Sequence, residues 1–217
     1  MGQQLLDIFE RLLAHYGPLS WWPAETPFEV CVGAILTQNT AWTNVEKAVR
    51  ALKQANVLDP AGLRDIGQER LAQLIRPAGY FNVKSQRLKD FIGWLQAKFD
   101  GSLEQMFAND WQGLRNELLE VRGIGPETCD AILLYAGQKP TFVVDAYTRR
   151  LFNRLGLLSI NSGYEETRAL FMENLPADVP LYNEYHALIV EHCKQFCRKK
   201  ASCGECPLAA GCCHACP

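Results

Sequence analysis

Apolar residues recur along this chain at helical spacing almost from end to end. Leu5, Phe9, Leu12 and Tyr16 share one helical face, and Gly17-Pro18 comes next as a stop signal. Phe28, Cys31, Val32, Ile35 and Leu36 form the stripe of an amphipathic helix with one buried side. Thr43 and Glu46 predict a capping box ahead of Val45, Ala48, Val49 and Leu52, and Ser162 with Glu165 predict another ahead of Leu170 and Phe171. Only Thr141-Phe142-Val143-Val144 reads as a strand, and it is too brief to found a sheet. No internal repeat, low-complexity segment or flexible linker interrupts the pattern. The expected fold class is all-α with short connections.

One stretch carries a more particular signal. Leu114 to Leu119 predict a short helix, then come Val121-Arg122-Gly123-Ile124-Gly125 and Pro126, a residue suited to the first position of a new helix. Ala131, Ile132 and Tyr135 give that second helix an apolar face. Glycines in such a turn permit positive φ and remove the Cβ atoms that would block close approach. Main-chain N–H groups at the turn and the helix N-terminus can hold an anion such as a phosphate. Taken alone, an ordinary αα-hairpin with a glycine turn reads the same way.

Size and composition narrow the classes. The chain of 217 residues suffices for one large domain or two small lobes, and its hydrophobic share of 48% and charged share of 21% are those of a soluble globular protein. No apolar run approaches the ~20 residues that span a bilayer. The opening MGQQLLDIFERLL mixes charges with apolar residues and lacks a cleavage pattern, so no signal peptide and a cytoplasmic location are expected. A net charge of −2 gives no bulk support for a nucleic-acid partner, so a basic surface must be local. Arg149, Arg150 and Arg154, and the run Arg198-Lys199-Lys200, are the available clusters.

The cysteines are uneven. Cys31 and Cys129 lie in apolar surroundings as core residues, whereas the other seven of the nine fall between Cys193 and Cys216. In a chain without export signals such a knot points to a metal site rather than disulfides.

Twenty residues after Gly125 stands Asp145, within Val143-Val144-Asp145-Ala146-Tyr147-Thr148 and ahead of a helix carrying Leu151, Phe152 and Leu155. Local sequence alone makes it an N-cap. The Gly-Ile-Gly hairpin, the Val-Val-Asp beyond it and the terminal cysteines together resemble the endonuclease III superfamily of helix-hairpin-helix DNA glycosylases. Ile35-Leu36-Thr37-Gln38-Asn39-Thr40, Ala78-Gly79-Tyr80-Phe81-Asn82-Val83-Lys84 and His186-Ala187-Leu188-Ile189 extend the likeness from about Phe28 to Cys212.

This resemblance implies two lobes: a six-helix barrel over 26–138 with the helix-hairpin-helix at 114–136, and a cluster lobe built from 1–25 and 139–217, with its metal site within 193–217. It implies a monomer that binds double-stranded DNA carrying damaged bases across the cleft, and hydrolyses the N-glycosidic bond of a flipped base. Asp145 would be the essential carboxylate, stabilising positive charge on the sugar or activating the attacking group. Gln38 and Asn39, Tyr80 and Phe81, the hairpin residues Gly123, Ile124 and Gly125, and Arg198, Lys199 and Lys200 would contact DNA.

Family members that also cleave the strand carry Lys where this chain has Glu127, in Gly123-Ile124-Gly125-Pro126-Glu127-Thr128. A carboxylate cannot form the Schiff base on which strand cleavage depends, so water is the expected nucleophile. Glu127 is otherwise a first-turn residue favoured by the helix dipole.

Trp21-Trp22-Pro23 and the later Trp42 look most like the 3-methyladenine glycosylases of this group, in which Trp22 and Trp42 would flank the base. Indole faces suit a cationic alkylated purine through stacking and cation–π attraction. An oxidised- or mismatched-pyrimidine glycosylase and a non-catalytic DNA-binding module remain the alternatives. Cys197-x5-Cys203-x2-Cys206-x4-Cys212 lies close to the family's [4Fe–4S] pattern, with a first interval one residue short. Zinc on Cys203, Cys206, Cys213 and Cys216 is the other reading. Cys193 is assigned no role.

Overall fold

The structure, a computed structural model, describes residues 1–19 and 21–214 and is helical throughout, with no strand among the described residues. Its helices are α1 (Gly2–Tyr16), α2 (Pro27–Leu36), α3 (Trp42–Gln54), α4 (Pro60–Asp65), α5 (Gln68–Leu74), α6 (Phe81–Phe99), α7 (Leu103–Ala108), α8 (Trp111–Glu120), α9 (Pro126–Ala131), α10 (Ala146–Arg154), α11 (Tyr164–Met172) and α12 (Val179–Gln195). Two compact units divide the chain: Ala24–Lys139 is one, and Met1–Pro23 with Pro140–Pro217 is the other. No described helix is long and apolar enough to cross a membrane.

In the central unit α2 is buried nearly all round, from Phe28 to Leu36, as its continuous apolar run dictates. Thr26 caps it by accepting from the Glu29 N–H, with Pro27 at the first position. The stripe of Leu88, Phe91, Ile92 and Leu95 buries one side of α6. The unit formed by the two chain ends is organised around aromatics. Phe142 stacks on Phe171 with ring centroids 3.8 Å apart, and Tyr185 packs edge-on to both. The Tyr185 hydroxyl donates to the Leu5 carbonyl at 2.8 Å, which ties α12 to α1.

Several local expectations are corrected. α3 starts at Trp42 with Ala41 as its N-cap and no side-chain cap, because Thr43 already lies in the first turn. Gly163, not Ser162, precedes α11, and the Ser162 hydroxyl donates to Glu166 instead of closing a box with Glu165. The helix expected from Leu114 begins earlier, at Trp111, where Asp110 accepts from the Gly113 N–H at 2.8 Å. Thr141, Phe142, Val143 and Val144 are buried but form no strand among the described residues.

Candidate functional site

The hairpin is held from inside. Asp130 on α9 is fully buried and receives two parallel hydrogen bonds from Arg115 on α8, Nε to Oδ1 at 2.8 Å and Nη2 to Oδ2 at 2.9 Å. Between the helices, Gly123 has φ +89, and a Cβ there would collide with the Arg87 side chain. Gly125 is different: its φ is −93 and a Cβ at that position would meet nothing within 4 Å, so it leaves open space in front of α9. Ile124 is 4% exposed and packs the turn into the core. Glu127 sits exposed in the first turn of α9.

Gln38 is half-buried in the turn that follows α2. Its Nε2 donates to the Gly123 carbonyl at 3.0 Å and to the Thr128 hydroxyl at 2.9 Å, while its Oε1 accepts from Arg87. All the hydrogen-bonding groups of this amide except one lone pair are thereby committed to the hairpin and α6. Asn39, next in sequence, is exposed with φ +54. Tyr80 is 73% exposed with φ +45, and Val83 beside it is 51% exposed, while Phe81 is half-buried as the first residue of α6.

In the other unit Asp145 is the N-cap of α10. Its Oδ1 accepts from the Thr148 N–H at 2.7 Å and from the Thr148 hydroxyl at 2.9 Å, so the role read from local sequence is realised. Its Oδ2 faces His186 Nε2 on α12 at 3.8 Å. Burial lowers the His186 pKa against the opposing pull of Asp145, so the imidazole beside this carboxylate is neutral. The sequence points to His186 only as part of a motif; its pairing with Asp145 depends on two helices meeting and leaves no local signal. Trp21 and Trp22 are half-buried with rings edge-to-face at 5.8 Å, and Lys194 stands 5.6 Å from the Trp21 ring. Trp42 is the half-buried first residue of α3 in the central unit.

The expected basic cluster on α10 is largely consumed by the cysteine loop. Arg150 lies over the Tyr147 ring and donates to the Cys197 carbonyl at 2.7 Å. Arg154 donates to Cys197 Sγ at 3.2 Å and to the carbonyls of Arg198 and Lys199 at 2.7 and 3.0 Å. Only Arg149 of the three is exposed, together with Arg198, Lys199 and Lys200 on the loop itself.

Cys197, Cys203, Cys206 and Cys212 line a single cavity with Leu151, Leu155 and His192. Among the described residues no three His, Cys, Asp or Glu side chains converge on one ion-sized point. The thiols feel one another: burial, then the charges of Cys203, Cys197 and Cys212, push the Cys206 pKa up. Cys197 runs the other way, to about 6, through a hydrogen bond from Cys193 and the neighbouring Arg154 and Arg150. Cys193, without a role in the sequence reading, is thus a buried thiol behind Cys197. Cys213 is exposed near Gly156, and Cys216 of the zinc reading lies outside the described residues.

The chain has relatives among known proteins that share this arrangement of helices. Residues 32–177 match the family model described as HhH-GPD superfamily base excision DNA repair protein. The DNA repair glycosylase candidate MJ1434 of Methanocaldococcus jannaschii is 48% identical over 97% of this chain and 96% of its own. A 3-methyladenine DNA glycosylase of H. pylori, MagIII, solved with 1,N6-ethenoadenine, superposes with a TM-score of 0.78 at 31% identity, covering 88% of this chain and 97% of its own. An endonuclease III in a non-covalent DNA complex superposes with a TM-score of 0.85 at 20% identity over 99% of this chain and 96% of its own, a likeness of fold.

Proposed function

The chain belongs to the HhH-GPD superfamily of base excision DNA repair proteins, and from that premise we propose that it is a monofunctional glycosylase releasing alkylated purines from DNA. The observation that carries the reading is Glu127 at the hairpin position where strand-cleaving relatives place lysine. With no amine there, water attacks the sugar carbon, and Asp145 stabilises the positive charge that develops as the base departs. The local geometry supports that assignment. One oxygen of Asp145 is committed to α10, and the other faces an uncharged imidazole, so no neighbouring cation at His186 cancels its field.

Trp22 and Trp42 supply indole faces for an electron-poor base, and the likeness to MagIII supports that substrate class over oxidised pyrimidines. The bond to an alkylated purine is already weakened by the ring charge, which fits a site with no assigned general acid. Duplexes containing 3-methyladenine are expected to release base much faster than duplexes containing thymine glycol; the reverse order would reject the substrate class. Borohydride added during reaction with an abasic duplex is expected to trap no covalent complex. Efficient trapping would overturn the monofunctional assignment.

Cys197, Cys203, Cys206 and Cys212 would hold a [4Fe–4S] cluster, whose contribution when bound is to cross-link the C-terminal loop under α10 and α12. Purified protein is expected to contain iron and acid-labile sulfide together, both lost in Cys203→Ser. Zinc without sulfide would establish the alternative metal. Double-stranded DNA is the proposed partner, met by main-chain groups of the hairpin, by Asn39 and Tyr80, and by the exposed Arg198, Lys199 and Lys200.

A further inference from the structure

Lys84 is 1% exposed, on a helix face it shares with Leu88, Phe91 and Leu95. Among the described residues no carboxylate pairs with it. Its ammonium instead donates to two main-chain carbonyls, Leu36 O at 2.9 Å and Ala78 O at 2.7 Å. Burial, reinforced by Arg87, lowers its pKa. A buried ammonium without a counter-ion is expensive, and a leucine or methionine would fill the same space without that penalty. The two carbonyls explain its presence. Leu36 is the last residue of α2, where a helix leaves its carbonyls without intrahelical donors. Ala78 closes the short 3₁₀ turn Arg76–Ala78.

Each carbonyl marks the start of a turn. Thr37-Gln38-Asn39-Thr40 leaves from Leu36, and Gly79-Tyr80 leaves from Ala78. Both segments carry residues in the left-handed region, Asn39 at φ +54 and Gly79 and Tyr80 at φ +69 and +45. Such turns depend on their surroundings to hold them. One helical turn beyond Lys84 on α6, Arg87 donates to Gln38 and packs against Gly123 of the hairpin. A single edge of α6 therefore joins three segments of the central unit: the α2–α3 turn, the turn before α6, and the hairpin.

We propose that Lys84 is a positioning residue that sets the α2–α3 turn and the 79–80 turn in register with each other for DNA binding, through its hydrogen bonds to Leu36 and Ala78. It touches neither DNA nor the reacting bond. This inference rests on the glycosylase reading above, and it goes beyond it by assigning the register of the two DNA-facing turns to one buried cation. Asn39 and Tyr80 keep their mutual placement only while both take-off points are fastened to the same ammonium.

The test compares wild type with Lys84→Met, which keeps an unbranched apolar stem without the ammonium, and Lys84→Gln, which keeps a neutral hydrogen-bond donor on a shorter stem. Hydrogen exchange on the free protein reads the brace without DNA. Faster exchange confined to 37–41 and 79–81 is expected in Lys84→Met, with a smaller change in Lys84→Gln. Affinity for a duplex holding an abasic-site analogue is expected to fall about 10- to 100-fold in Lys84→Met, the loss of hydrogen bonds from a charged donor. Single-turnover base release at saturating enzyme should stay within about threefold of wild type, since a loss of binding shared equally by ground and transition state leaves the chemical step intact. Unchanged exchange in both turns would overturn the proposal, as would unchanged affinity despite faster exchange. Should Lys84→Met fail to fold, Lys84→Gln decides by the same three readouts. A wild-type protein that binds the abasic duplex but releases no base from any damaged duplex rejects the glycosylase reading and leaves the affinity arm to judge Lys84; one that binds no such duplex overturns both.

Discussion

Asp145→Asn is expected to reduce base release by about 10²- to 10³-fold, the scale on which a single electrostatic stabiliser of a transition state acts, while leaving folding and DNA affinity near wild type. Two roles meet in this side chain, and the substitution separates them. Oδ1 accepts from the Thr148 N–H and hydroxyl as the N-cap of α10, a role asparagine fills as well as aspartate. What asparagine removes is the negative charge on the side of Oδ2, which faces a neutral His186 at 3.8 Å. Asp145→Ala would remove both, and should lose about 1 kcal/mol of stability as well. Single-turnover base release measured beside a thermal melt distinguishes them. If Asp145→Asn releases base at the wild-type rate, Asp145 is a cap and the essential carboxylate lies elsewhere.

The largest effect on stability is expected at the hairpin's internal ion pair. Asp130 is fully buried and Arg115 nearly so, joined by two hydrogen bonds of 2.8 and 2.9 Å between α8 and α9. Removing one partner breaks both of these hydrogen bonds at a buried charge, which costs about 3–5 kcal/mol in such settings. For a chain of this size that corresponds to a fall in Tm of roughly 6–20 °C. Arg115→Met and Asp130→Asn should each show it in thermal unfolding, with Arg115→Met the larger because it keeps a fully buried carboxylate charge while removing both of these donors. The double variant Arg115→Met/Asp130→Leu should recover part of the loss, because neither charge of the pair is then left facing an apolar side chain. Single variants that melt with wild type would show that the pair contributes no net stability.

The helical class and the hairpin are legible in the sequence, because each depends on residues close together in the chain. Apolar spacing places α1 and α2, Pro126 marks the start of α9, and Val-Val-Asp locates the cap of α10. Capping is less legible: Thr43 and Ser162 have suitable side chains, but the paths of the preceding turns put them at the wrong positions. Lys84 does carry a usable signal. It falls in phase with Leu88, Phe91 and Leu95, so the helical stripe that predicts burial for them predicts it for Lys84 too.

The site is legible as residue types but not as partnerships. Arg150 and Arg154 read as an exposed basic surface, yet their guanidinium groups turn to the carbonyls and sulfur of a loop more than forty residues away. Gln38 reads as an outward-reaching side chain, yet its amide is bound to Gly123 and Thr128, some ninety residues on. Sequence by itself determined the helical class, the Gly123–Pro126 hairpin, the position of Asp145, the absence of a lysine at 127 and the set of C-terminal cysteines. These come from local spacing and from the chemistry of single side chains. Tertiary structure alone decided that Asp145 faces a buried His186, that Arg115 and Asp130 lock the hairpin, that Cys197, Cys203, Cys206 and Cys212 line one cavity, and that Lys84 donates to the carbonyls at the start of two turns. Each of those depends on where distant helices pack, and packing sets burial and partners that no local pattern encodes.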